Sequence, residues 1–283
     1  MKVGNEIKVI RELLKLTQTE LANELNVTYE AVNRWENGKT EIEGYNLEKL
    51  YNFAYNKKIF INKMYEEILS QEYNSSNSKL LFHGPKKSIS FPIDLNHSRI
   101  NNDFGVGFYL GETFEQATTY ISNSDKNIVY AFQLNINNLK TYQFHVNKEW
   151  MLAIAYYRGW INEYKNHSII QNILNNIKNT DVIIVPIADN RMFDLISEFV
   201  NGEITDLQCE LALAATNLGS QFVLKSEKAL NNLFLVKECY VSKLEKEEYL
   251  KRKLDLSLLG NSKVKLARIE YRGKGQYIDE LLK

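Results

Sequence analysis

Three short stretches of the chain join polar or aromatic side chains to glycine in ways that could hold a ligand. Leu80-Leu-Phe-His-Gly84 is an apolar run closed by His83 and Gly84, and the glycine permits close approach of a ligand to the backbone. Asp103-Phe-Gly-Val-Gly-Phe-Tyr-Leu-Gly-Glu112 has two glycines two apart that lead into Phe108 and Tyr109, a flexible loop entering a strand. Ser220-Gln-Phe-Val-Leu-Lys-Ser-Glu-Lys-Ala-Leu230 reads as a strand with Gln221 near its polar start, followed by a short helix. The ligand-free alternatives are a structural histidine at 83 and a hairpin with a buried tyrosine at 109.

Other routes to chemistry lack their markers. His83, His97, His145 and His167 have no ligand-like spacing to one another or to Cys209 and Cys239, so no metal is expected. No GxSxG, P-loop or dinucleotide GxGxxG occurs. Asp189 and Arg191 follow the apolar run Val182–Pro186, at a strand end where sites often lie; the alternative is a helix-capping aspartate and a surface arginine. Trp150 and Arg158 read as core packing and a solvated helix end. Glu227, six residues past Gln221, is expected to face elsewhere.

The elements that must position these residues divide the chain in two. Up to about Ile68, apolar residues recur at helical spacing in short groups (Ile7, Ile10, Leu13, Leu14; Leu21, Leu25; Val32, Trp35; Leu47, Leu50, Phe53), which predicts an all-α bundle of five short helices over 1–70. The polar, Ser/Asn-rich segment 71–79 reads as a linker. In 80–283, strands are expected at 80–84, 107–110, 128–134, 141–144, 182–186, 221–224 and 234–241, and helices at 114–122, 148–157, 169–177, 191–200, 206–216 and 242–258. Strands and helices do not alternate strictly, so the fold class is α+β multidomain: a helical bundle, then a mixed α+β domain.

Within the bundle, 16–38 carries a specific pattern. Thr17 and Glu20 form a capping box, Ala22 is small where two helices cross, and Asn26 suits a left-handed turn. Thr28 caps the next helix, with Val32 and Trp35 inward and Tyr29, Glu30, Asn33 and Arg34 outward. This resembles the Cro/repressor (XRE) class of helix-turn-helix domains. The resemblance implies DNA as a partner, with 28–33 (Thr28, Tyr29 and Asn33 among them) facing the major groove and Gln18, Arg34 and Lys39 near phosphates. The charge over 1–70 is about −1, which weakens the electrostatic part of DNA binding. A bundle that kept the fold and turned to protein interaction or dimerisation is the alternative.

The three later stretches, in their order, resemble the catalytic domain of ADP-ribosyltransferases of the poly(ADP-ribose) polymerase and diphtheria-toxin side. There a His-Gly ends the first strand, a Gly-x-Gly-x-Tyr strand follows, and a Glu leads a later strand; here Tyr109 stands 26 residues after His83, and Gln221 stands 112 after Tyr109. The runs 181–192 and 218–221 look more closely like a bacterial family of that clan often encoded near toxin–antitoxin genes. The resemblance implies an ADP-ribosyltransferase-like fold over 80–283 and NAD as substrate. His83, Tyr109 and Gln221 would then be catalytic, and His83, Gly84, Arg99, Asp103, Tyr109, Asp189 and Arg191 would bind NAD. His83 would hydrogen-bond a ribose hydroxyl, the Gly84 backbone would pair with the nicotinamide carboxamide, and Tyr109 would stack on the ring. Arg99 and Asp103 would flank the pyrophosphate. Gln221 departs from the clan's Glu: an amide can bind a hydroxyl but cannot stabilise the oxocarbenium-like transition state by charge.

The expected activity is therefore NAD-dependent mono-ADP-ribosyl transfer, in a toxin or phage-defence effector whose DNA-binding half controls its operon. The alternative is a transcriptional regulator that binds NAD or a related nucleotide without turnover; a partner-binding module is the third reading. The acceptor is open (protein, nucleic acid or water), and an antitoxin protein and a homodimer are further expected partners. Across 283 residues, 35 Lys/Arg balance 35 Asp/Glu, which argues against a chain that is basic overall. The 44% hydrophobic and 12% aromatic content argues against disorder. Met1 leads straight into an amphipathic helix, no apolar run could span a membrane, and there are two cysteines without a CxxC pair, so a cytoplasmic location is expected. The zero net charge is a cancellation: 243–274 carries +5, with Lys251, Arg252, Lys253, Lys263, Lys265, Arg268, Arg272 and Lys274, a solvated face or a nucleic-acid-binding one.

Overall fold

The structure, a computed structural model, describes residues 3–87, 89–95, 98, 102–214 and 218–283. The N-terminal module has five helices, α1 (Gly4–Leu13), α2 (Gln18–Leu25), α3 (Tyr29–Glu36), α4 (Gly44–Asn56) and α5 (Ile61–Tyr73). Its boundaries follow local chemistry. The Thr17 hydroxyl accepts the Glu20 N–H while the Glu20 carboxylate accepts the Thr17 N–H, a complete capping box at the start of α2. Asn26 takes the left-handed turn at φ 53°, and the Thr28 hydroxyl caps α3 through the Ala31 N–H. Ile7, Ile10, Leu21, Ala22, Val32, Trp35 and Leu50 close one apolar core.

The linker expected over 71–79 is mostly not one. Helix α5 runs on to Tyr73 and the first strand starts at Ser78. Gln71 and Glu72 are simply the solvated side of the end of α5, a helix whose Leu69 and Tyr65 pack into the second domain's core. The Asn74 side chain then accepts the Leu80 N–H at 2.8 Å and fixes the turn into the strand.

That second domain is built on one mixed sheet of seven strands: β1 (Ser78–His83), β2 (Phe108–Gly111), β3 (Ile128–Asn135), β4 (Thr141–Gln143), β5 (Val182–Pro186), β6 (Ser220–Leu224) and β7 (Leu233–Tyr240). The spatial order is β4-β5-β6-β2-β1-β3-β7, antiparallel throughout except for β4 against β5. Strand alternation gives the sheet two different faces. Leu80, Phe82, Val129, Ala131, Ile183, Val185 and Val223 point to one, which is covered by α6 (Phe114–Ile121), α7 (Lys148–Tyr157), α8 (Ser168–Ile177), α9 (Asn190–Val200), α10 (Asp206–Ala214) and α12 (Lys243–Glu270). Leu81, Leu110, Phe132, Phe222 and Leu224 point to the other, covered by the segment holding Ile93 and Leu95 and by the short helix α11 (Glu227–Leu230).

Two elements differ from the sequence reading. Helix α12 does not stop at Leu258: Gly260-Asn-Ser reads as a terminator, but Val264 is drawn into the core, Arg268 pairs with Glu198 and its carbonyl accepts the Gln208 amide. Tertiary contacts outweigh the roughly 1 kcal/mol helix penalty of one glycine. A last helix, α13 (Ile278–Leu281), packs Ile278 against the same core. No helix among the described residues is long and apolar enough to cross a membrane.

The modules are docked through α1, α4 and α5. Lys237 reaches Glu6 at 2.6 Å, Glu48 accepts the Tyr240 hydroxyl at 2.7 Å and the Lys243 N–H at 2.8 Å, and Glu66 accepts the Phe114 N–H at 2.7 Å. Asn62 donates to both the Tyr240 carbonyl and the buried Glu245 carboxyl.

Candidate functional site

On the helix-turn-helix, Tyr29, Glu30, Arg34 and Lys39 stand exposed, with Asn33 half-buried. Thr28 uses its hydroxyl as the cap of α3. Gln18, expected near a phosphate, is tied into the module: its amide donates to Glu36 at 2.6 Å and its oxygen accepts from Asn33 at 3.2 Å. Arg11 completes this network, with its Nε 2.8 Å from the buried Glu36 carboxylate. Gln18 thereby fixes the orientation of Asn33 on the outer face of α3.

In the sheet domain, His83 ends β1 beside the start of β2, and its Nδ1 lies 2.7 Å from the Tyr109 carbonyl oxygen. A carbonyl can only accept, so Nδ1 carries the proton. Burial lowers the pKa of the ring, which is therefore neutral at pH 7, and Nε2 is left as an acceptor. The imidazole stacks on Phe108 with centroids 4.5 Å apart. Gly84 answers to packing: a Cβ there would sit 2.3 Å from the Ala117 carbonyl oxygen of α6. Gly107 answers to the same need against β6, where a Cβ would lie 2.7 Å from Val223.

The glycine loop is clamped shut on itself. The Tyr109 hydroxyl donates to the Gly105 carbonyl at 2.8 Å and accepts the Phe104 N–H at 3.1 Å. Lys225 donates to the carbonyls of Phe104 (2.7 Å) and Val106, and burial lowers its pKa. Asp103 pairs with Arg158 at 2.7 Å; burial raises the Asp103 pKa and the guanidinium opposes that shift. Arg158 is thus not a solvated helix end: it holds Asp103 and lies 3.5 Å over the Phe193 ring. Arg99 and His97 lie outside the described residues.

The three motif side chains are on neighbouring strands but not on one face. His83 pairs with Tyr130 and shares the face of Phe108 and Phe132. Tyr109 pairs with Val223, and Gln221 with Gly111, which places Tyr109 and Gln221 on the opposite face. Gln221 is half-buried there. The Gln116 amide stands over Gly111, accepting the Thr113 N–H and donating to the Leu218 carbonyl. The nearby Glu112 carboxylate accepts the Ser220 N–H at 3.0 Å.

Asp189 caps α9 through the Met192 N–H, its non-ligand alternative. Arg191 is not a surface arginine: it is largely buried, 3.6 Å from Asp189 and reaching the Ser257 carbonyl on α12. Trp150 is wholly in the core, and Glu227 is exposed at the start of α11. His167 caps α8. Sequence reading missed Lys225, Arg158, Gln116 and Glu112 as parts of this region, because each acts on a partner brought from far along the chain.

The fold is a helix-turn-helix joined to a mixed-sheet domain whose histidine-glycine strand lies beside a glycine-led aromatic strand. Residues 7–52 match the family described as Helix-turn-helix, which makes the N-terminal module an XRE-type unit of the DNA-binding kind. Residues 80–235 match the family described as Protein of unknown function (DUF3990), and the chain belongs to that family. No curated protein and no solved structure matches the chain.

Proposed function

We propose that this protein is a DNA-binding regulator whose second domain takes NAD and transfers ADP-ribose from it, as a toxin or phage-defence effector. The observation that carries this reading is His83: a neutral histidine, held by its Nδ1 proton, beside the glycine-led aromatic strand. Its free Nε2 suits a ribose hydroxyl, which can donate to it. The reaction breaks the bond between nicotinamide and the ribose anomeric carbon. Nicotinamide leaves with the bonding electrons, the acceptor's nucleophile forms the new bond, and its proton is released. Orienting the ribose is the part of this work that His83 would do.

A second reading, NAD sensing without turnover, is favoured by Gln221, whose amide supplies no charge for the oxocarbenium-like transition state and faces away from His83. Incubating the full chain with adenine-labelled NAD, lysate and DNA, and measuring free nicotinamide and transferred label, tests both. Transfer requires both signals in wild type and neither in His83→Ala. Absence of nicotinamide release from wild type overturns it, and NAD raising the melting temperature in that case selects the sensing reading.

A further inference from the structure

The strand register sets a carboxylate on the face that His83 takes. His83 stands directly opposite Tyr130 on β3, and Tyr130 stands directly opposite Glu238 on the edge strand β7. Residues opposed in this way share a face, so His83, Tyr130 and Glu238 form one row across the sheet. About 10 Å separates the outer two Cα atoms, room for a ribose ring between imidazole and carboxylate. Glu238 is exposed, and its charge adds to burial in raising the Tyr130 pKa. Phe91, also exposed, stands edge-on to the same tyrosine with centroids 5.9 Å apart.

The other charges near this end of the sheet are engaged elsewhere. Glu112 accepts the Ser220 N–H, Asp103 pairs with Arg158, and Glu6 pairs with Lys237, which leaves β7 on the opposite face. Asp94, on the segment over the His83 face, is not free. Lys225 is bonded to the glycine loop and Lys86 lies over the Tyr120 ring. Lys79 shares the face but stands four residues, about 13 Å, back along β1 from His83. Among the described residues, Glu238 has no hydrogen bond or ion pair of its own. A neutral imidazole, aromatic rings and one unspent carboxylate suit a flat organic cation. The nicotinamide ring of NAD is such a cation, and its charge passes to the ribose as the bond between them breaks.

We propose that Glu238 is the carboxylate of the NAD site, facing the positive nicotinamide–ribose end while His83 Nε2 holds a ribose hydroxyl. The proposal rests on the reading that the sheet domain takes NAD, and it holds with or without turnover. Gln221, on the other face, has no part in offsetting that charge.

NAD and NADH differ at the nicotinamide ring, which is charged only in NAD, so calorimetric titration of the full chain with each one tests the carboxylate. Wild type is expected to bind NAD at least about tenfold more tightly than NADH. Glu238→Gln is expected to bind the two about equally. Glu227→Gln, which removes an exposed carboxylate outside the row, should keep the full preference. A wild type that binds NAD no more tightly than NADH overturns the proposal and leaves the NAD reading standing. So does a Glu238→Gln variant that is folded by circular dichroism and keeps the wild-type preference. A wild type that binds neither nucleotide overturns the NAD reading, and the proposal with it.

Discussion

The two modules settle their polar groups in opposite ways. In the helix-turn-helix the buried Glu36 is neutralised inside the module by Arg11 and Gln18, while the buried Glu6 pairs across the seam with Lys237, and Tyr29, Glu30 and Arg34 on α3 stand in water. In the sheet domain the groups nearest the candidate site already have protein partners: His83 on the Tyr109 carbonyl, the Tyr109 hydroxyl on its own loop, and Asp103 on Arg158. A module of the first kind presents a rigid surface whose polar groups are free for a partner. A site of the second kind is preorganised and offers only what its internal bonds leave over, chiefly His83 Nε2, the ring faces and the Gln221 amide.

The contrast breaks most visibly at Glu36. Arg11→Ala would leave a buried carboxylate with Gln18 as its remaining partner, and is expected to cost about 3 kcal/mol in a denaturant titration. The His83 environment should be untouched. A cost below about 1 kcal/mol, as for an exposed pair, would mean that water already reaches Glu36 and that the module is not settled inside.

A smaller effect sharpens the comparison at the seam between the modules. Burial pushes the Glu245 carboxyl up to about 7, opposed by its hydrogen bond from Asn62. A raised carboxyl pKa means the folded state holds the proton more tightly, so this group's contribution falls as pH rises from about 4.5 to 7. Glu245→Gln keeps the acceptor and removes the titration. It should match wild type below pH 4.5 and exceed it by about 2–3 kcal/mol at pH 8. A pH-independent difference would show that Glu245 is ionised and the seam is wet.

The same contrast decides what could be read from sequence. In the helix-turn-helix the determinants are local: Thr17 with Glu20, Asn26, and Thr28 with Ala31 lie within four residues of what they control. In the sheet domain the strands were legible because alternation is also local, and the seven expected strands all form, with shifts at their ends such as Phe108 in place of Gly107. Placement of the side chains was not. The face that His83 takes depends on its register with Tyr130, and Arg158 looked solvated because its partner Asp103 lies 55 residues away. Gly260 looked like a helix end because Val264 and Arg268 find partners only once α9 and α10 are in place.

The smallest effect tests the sheet domain directly. Tyr109→Phe keeps the ring and deletes a hydroxyl that donates to Gly105 and accepts from Phe104, and is expected to cost about 1 kcal/mol. Thermal melts with and without NAD separate two roles for that hydroxyl. If its work is to hold the glycine loop, the variant melts lower and any shift induced by NAD survives, because the ring face is intact. If it touches the ligand, the melting temperature without NAD stays near wild type and the NAD-induced shift disappears. The second outcome would mean that the hydroxyl exchanges its loop partners for the ligand at little cost. The sheet domain would then hold its polar groups as loosely as α3 holds Arg34, and the difference between the two modules would be one of burial alone.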